Sequence, residues 1–112
     1  MKKVVVGFLA LVMVFALAGC GGIPSDMSED VYHNGLNALE VADRYLDGDL
    51  DKDDAYRQMR RIENATPYTA DSENHKDGVV SAKLSLMTTL ILTDDYAGLR
   101  ESRDELADDL GK

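Results

Sequence analysis

Apolar side chains in this chain recur at steps of three and four, and that spacing decides its fold class. Leu36, Leu39, Ala42 and Leu46 form one such series, with Val31, Tyr32 and Tyr45 close to the same line. Ala55, Met59 and Ile62 form a second, and Tyr96, Leu99, Leu106 and Leu110 a further one. A period near 3.6 lays such residues along one face of a helix, whereas a half-buried strand needs strict alternation. Past the amino terminus nothing alternates in that way, and β-branched residues are few. The chain reads as all-α.

The helix ends are also legible. Ser28 is placed as an N-cap, with Glu29 and Asp30 in the first turn, where carboxylates suit the positive end of the helix dipole. This first helix is expected to run to about Leu46. A second is expected over about 52–65, burying Ala55, Met59 and Ile62 and closed by Pro67. A third should span about 72–92, weakened in its first half by Gly78, and a fourth should start near Asp94 or Asp95 and reach Leu110, with Gly111 as its C′ residue. Four amphipathic segments joined by short turns predict a small antiparallel bundle of about four helices, built as two helical hairpins.

The stretch between the first two helices, "DRYLDGDLDKDD" at 43–54, holds six carboxylates and one glycine, and two readings compete for it. Set against the calcium loop of helix–loop–helix proteins, Asp43 falls at the first position, Asp47 at the fifth, Gly48 at the sixth, Asp51 at the ninth and Asp54 at the twelfth. Tyr45 then stands where a third-position carboxylate belongs, and Asp54 replaces the usual bidentate glutamate. Such a site would bind at about millimolar concentration. In the other reading Gly48 is the left-handed C′ residue of the first helix and Asp51 caps the second. Asp53 and Asp54 then occupy the second helix's first turn, and Leu50 supplies a hydrophobic staple towards Ala55. The second reading gives nearly every residue a role, so the stretch is expected to be a turn.

The first twenty residues have a different logic. Lys2 and Lys3 precede an uncharged apolar run, and Leu17-Ala18-Gly19-Cys20 follows it. This is the layout of a secretion signal with a processing site. The uncharged run over 4–19 has 16 residues, short of the roughly 20 that a spanning helix needs. Leu17-Ala18-Gly19-Cys20 resembles the lipobox of bacterial prolipoproteins: a branched residue, two small residues and a cysteine. The resemblance implies lipidation of the Cys20 thiol by a diacylglyceryl group, cleavage after Gly19, and an acylated Cys20, palmitate included, as the first mature residue. Two or three acyl chains hold a protein stably on a bilayer where one would be marginal. The expected organisation is a signal peptide over 1–19, the lipidated cysteine and a short tether over 20–27, and a helical domain over 28–112. The tether would reach at most about 25 Å. The protein is thus expected to be exported and anchored on the outer face of the cell membrane. In a cell with two membranes, Gly21 in place of the aspartate linked to inner-membrane retention in that class favours the outer one.

Charge and composition exclude several functions. Removing 19 of 112 residues leaves 93, with 10 basic against 21 acidic side chains, a net charge of −11. Nucleic acid and anionic headgroups would repel such a domain. Cys20 is the single cysteine, so no intrachain disulfide can form and acylation leaves no catalytic thiol. His33 and His75 stand alone, 42 positions apart, without the clustered ligands of a transition-metal site. No phosphate-binding glycine loop or nucleophile motif occurs, so neither an enzyme nor a cofactor is expected. Arg57, Arg60 and Arg61 make the one basic patch, spaced to pair with carboxylates such as Asp53.

The expected third helix has the widest apolar arc. Val80, Leu84, Met87 and Ile91 fall on one line; Val79, Leu86 and Leu90 fall on a second, about 120° away, with Lys83 between them. Such an arc belongs either to a central helix touching two neighbours or to a face that awaits a partner. The leading expectation is a non-enzymatic, lipid-anchored envelope module that acts through a protein partner or by self-association, with this face as the interface. The alternative is a weakly Ca²⁺-responsive module using the 43–54 loop.

Overall fold

The computed structural model describes residues 22–66 and 74–112; the expected signal peptide, lipobox and Cys20 lie outside them. Among these residues there are four helices: α1 Glu29–Leu46, α2 Lys52–Asn64, α3 His75–Leu92 and α4 Tyr96–Asp109. Among the described residues there is no strand. The boundaries follow the expected ones closely at α1, α2 and α4. At α3 the extended backbone of Asn74 sets the start at His75, three residues later than expected.

Each of α1 and α3 packs against all three other helices, whereas α2 and α4 touch only those two and not each other. The bundle is therefore a rhombus in section, with α1 and α3 on its short diagonal. Side-chain bonds fix the directions. Asn34 near the start of α1 donates to Thr66 Oγ1, just past the end of α2, at 2.9 Å. Lys52 at the start of α2 reaches Asp94, just past α3, at 3.0 Å, and Lys83 of α3 meets Glu105 of α4 at 3.0 Å. Sequential helices are thus antiparallel. The diagonal pair is parallel: the Ser28 N–H, ahead of α1, donates to Asp77 in the first turn of α3, and the Tyr45 hydroxyl, near the end of α1, donates to Asp94 (both 2.8 Å).

The core is shaped by that diagonal. Val31, Gly35, Ala38, Ala42 and Tyr45 form the buried row of α1, at steps of four and three. The expected stripe is buried at Val31, Tyr32, Leu39, Ala42 and Tyr45, whereas Leu36 and Leu46 are only partly buried. A helix with neighbours on three sides needs small residues on its innermost line. Ala38 and Ala42 are completely buried, and a Cβ at Gly35 would lie 2.9 Å from a Leu110 methyl carbon. Leu36 and Leu46 flank the contact instead. Opposite them Val80, Leu84, Met87 and Ile91 of α3 are all fully buried, joined by Ala55 and Met59 of α2 and by Leu99, Leu106 and Leu110. Ile62 is half-buried because it borders the groove between α1 and α2.

Met27, expected in the tether, is in the core. The turn that carries it is joined to the start of α3, where the Lys76 N–H donates to the Asp26 carbonyl at 3.0 Å. The folded unit takes in residues from Pro24 onward.

Candidate functional site

The acidic stretch at 43–54 folds as the end of one helix, a turn and the start of the next. Gly48 has φ +81°. The Asp49 N–H bonds to the Arg44 carbonyl at 2.8 Å and the Gly48 N–H to the Tyr45 carbonyl at 3.1 Å, the two bonds of a Schellman motif. Asp51 caps α2, its Oδ1 accepting from the Asp54 N–H at 2.8 Å. Asp43 is turned towards α4, where Arg103 grips it through Nε and Nη2 at 2.7 and 3.0 Å. That bidentate contact raises the already high pKa of the guanidinium. Asp47 is the C-cap of α1, and Asp54 lies 3.8 Å from Arg57. Three of the four candidate ligands, Asp43, Asp51 and Asp54, are therefore turned to separate partners. Among the described residues no group of three or more His, Cys, Asp or Glu side chains is placed to hold a metal ion.

The end of α3 repeats the Schellman motif with one change. The Asp95 N–H bonds to the Leu90 carbonyl at 3.0 Å and the Asp94 N–H to the Ile91 carbonyl at 3.1 Å, yet the left-handed residue is Asp94, with φ 56°, not glycine. Aspartate is one of the few side chains that tolerate this conformation. Here its carboxylate accepts from the Tyr45 hydroxyl on one oxygen and from Lys52 Nζ on the other. These bonds, the one from Tyr45 first, hold the Asp94 carboxyl below the usual carboxylate range. Burial, reinforced by Tyr96 and Asp94, pushes the Tyr45 phenol well above its ordinary value. Tyr96 stacks on Tyr45, with ring centroids 5.3 Å apart and planes 8° from parallel. One carboxylate thus clasps all four helices at this end of the bundle. No pattern in the sequence announces the clasp beyond a helix that stops without a glycine.

The basic patch is divided. Arg57 and Arg61 line a groove of about 380 Å³ between α1 and α2, together with Arg44, Glu40 and Asp54, while Arg60 lies 3.8 Å from Glu63. His33 sits 3.8 Å from Glu29 on its own helix, and His75 is exposed in the first turn of α3.

The outer face of α3 is the exceptional surface. His75, Val79, Ala82, Leu86, Thr89 and Thr93 follow at steps of four and three, and all are exposed, as are the adjoining Ser85 and Leu92. Val79 keeps 46 % of its surface in solvent, Leu86 45 % and Leu92 50 %. Leu90, on the same apolar line in the sequence, is half-buried against the start of α4. From Gly78 to Thr93 the one charged side chain is Lys83, which is bonded to Glu105. α3 therefore meets both descriptions of its wide arc: its inner line is buried among three helices, and its outer line faces solvent with no charge upon it. Large exposed apolar side chains in a contiguous row, rimmed by polar ones, are characteristic of interaction surfaces.

No helix among the described residues is long and apolar enough to cross a membrane. No protein-family model matches the chain, and no curated protein or solved structure is detectably similar to it.

Proposed function

We propose that this protein is a non-enzymatic module of the bacterial envelope, exported and anchored through lipid on Cys20, that binds another protein along the outer face of α3. The observation that carries the reading is the uncharged exposed stripe from Val79 to Thr93 in a mature chain with net charge −11. Solubility alone favours charged side chains on an exposed helix face. Apolar side chains held in solvent are retained where a partner covers them. Leu17-Ala18-Gly19-Cys20 supports the anchor, and the docking of Pro24–Ser28 beside α3 supports a domain held close to the bilayer.

Two measurements test the two halves. Metabolic labelling with palmitate should mark the wild-type chain and leave Cys20→Ser unlabelled; equal labelling of both would remove the anchor from the reading. Membranes solubilised in mild detergent should show the wild type in a species larger than the monomer on a native gel. Leu86→Lys should run as the monomer. A wild type that runs as the monomer under every solubilisation condition would contradict the contact.

A further inference from the structure

The two edges of the α3 stripe differ, and the difference describes what can lie on it. On the α2 side the flanking carboxylate is Glu63, which accepts from the Ser85 hydroxyl at 2.6 Å and lies 3.8 Å from Arg60. That edge is internally balanced. On the α4 side Gly98, Glu101, Glu105 and Asp108 follow at steps of three and four. Two points fix this row beside α3: the Leu90 side chain lies against Gly98, and Glu105 bonds Lys83. Glu101, Glu105 and Asp108 are all exposed. Arg103 of α4 is turned away towards Asp43 of α1, and Lys83 is bonded to Glu105 of the row.

An apolar ridge with a carboxylate row along one side is half of an interface whose other half carries the opposite charge. We infer that the partner of α3 is an amphipathic helix with apolar residues at three- and four-residue steps and lysine or arginine along one side, seated between the Val79–Leu86 ridge and the Glu101–Glu105–Asp108 row. The inference rests on α3 being an interface and adds the chemistry of what it binds. A second copy of this chain fits poorly. It brings another acidic domain, and its own α3 offers only Lys76 and Lys83 to meet the carboxylates. Cationic helices approach a strongly acidic domain from any side, so the row must be separated from the net charge.

The test uses the full chain in zwitterionic phosphatidylcholine nanodiscs, with empty discs as the blank and fluorescently labelled helical peptides of Leu–Lys or Leu–Glu heptads as probes. The Leu–Lys peptide should bind more weakly as salt rises, and the Leu–Glu peptide should not bind. Glu101→Gln, Glu105→Gln and Asp108→Asn together should weaken the Leu–Lys peptide about tenfold, as expected for loss of a few exposed charge pairs. Asp47→Asn, Asp49→Asn and Asp53→Asn remove the same charge from the α1–α2 turn and should leave affinity within about twofold. Leu86→Lys should abolish binding. If both triple variants weaken it equally, the attraction is to net charge and the inference is overturned. If neither peptide binds while α3 still cross-links to a protein in cells, the partner is of another chemistry; the interface survives and this inference fails. If α3 also fails to cross-link, both fall together.

Discussion

The diagonal helices α1 and α3 occupy equivalent places in the bundle, and their outer faces are opposites. Each touches all three other helices and leaves one row of side chains in solvent. On α1 that row is Asp30, His33, Asn37, the half-buried Glu40, Arg44 and Asp47; on α3 it is Val79, Ala82, Leu86, Thr89 and Thr93, at the same alternation of three and four. The inner rows of both helices are apolar, as a core demands. Packing therefore explains the insides of both helices and the outside of neither. Water explains the outside of α1. Water does not explain the outside of α3, whereas the proposed partner would, and α1 serves as the internal control.

The largest expected effect separates the two sides of α3 itself. Leu84 is fully buried, so Leu84→Ala should cost about 2–5 kcal/mol in a urea titration, the usual range for truncating a buried leucine. Leu86→Ala, two positions away, should change stability by less than about 0.5 kcal/mol. Comparable losses at the two sites would show that the outer row belongs to the core. A sharper version writes the α1 pattern onto α3. Val79→Glu with Leu86→Lys should leave the fold and the denaturation midpoint nearly unchanged, to within about 1 kcal/mol, while removing the proposed complex.

The next contrast lies at the turns that end these two helices. Asp51→Ala should cost about 1 kcal/mol, the typical value of an N-cap. After α3, the Asp94 clasp makes stability depend on pH at both extremes. Asp94 has a folded-state pKa below its unfolded value of about 3.9. Its contribution is complete above that value and is lost as pH falls through the folded one. Tyr45 has a folded-state pKa above its unfolded value of about 10, so its contribution is complete below that value and is lost as pH rises through the folded one. Tyr45→Phe should flatten the alkaline decline and Asp94→Asn should reduce the acid one, both read as melting temperature against pH. A Tyr45→Phe profile that declines like the wild type would show that the hydroxyl is not bonded as described. The smallest effect is expected of cations. With Asp43 held by Arg103 and Asp51 capping α2, Ca²⁺, Mg²⁺ and NaCl at matched ionic strength should raise the melting temperature alike. A rise specific to Ca²⁺ would reinstate the 43–54 loop as a site.

Much of this was readable along the chain, for reasons that are local. Gly48 and Gly111 end helices because a left-handed residue is needed there, and Asp51 caps because its side chain reaches its own backbone; neither depends on the rest of the fold. The inner line of α3 was legible from period alone. Two kinds of feature were not. The buried face of α1 takes in Gly35 and Ala38 beside the expected Leu39 and Ala42, because close approach to three neighbours rewards small side chains and periodicity cannot count neighbours. The clasp joins Tyr45, Lys52, Asp94 and Tyr96 across 51 positions of sequence, and the α4 carboxylate row gains meaning only once α3 lies beside it. Local chemistry names the caps; only assembled helices show which residues face each other.

The most direct measurement places a photo-reactive amino acid at Leu86, and in a separate variant at Asn37 on the matching row of α1, in the full chain expressed in its native cells. Irradiation should give a discrete higher-mass adduct from position 86 and none from position 37. Adducts of equal yield from both positions, or none from position 86 while the chain is folded and anchored, would contradict the assignment of α3 as the binding face.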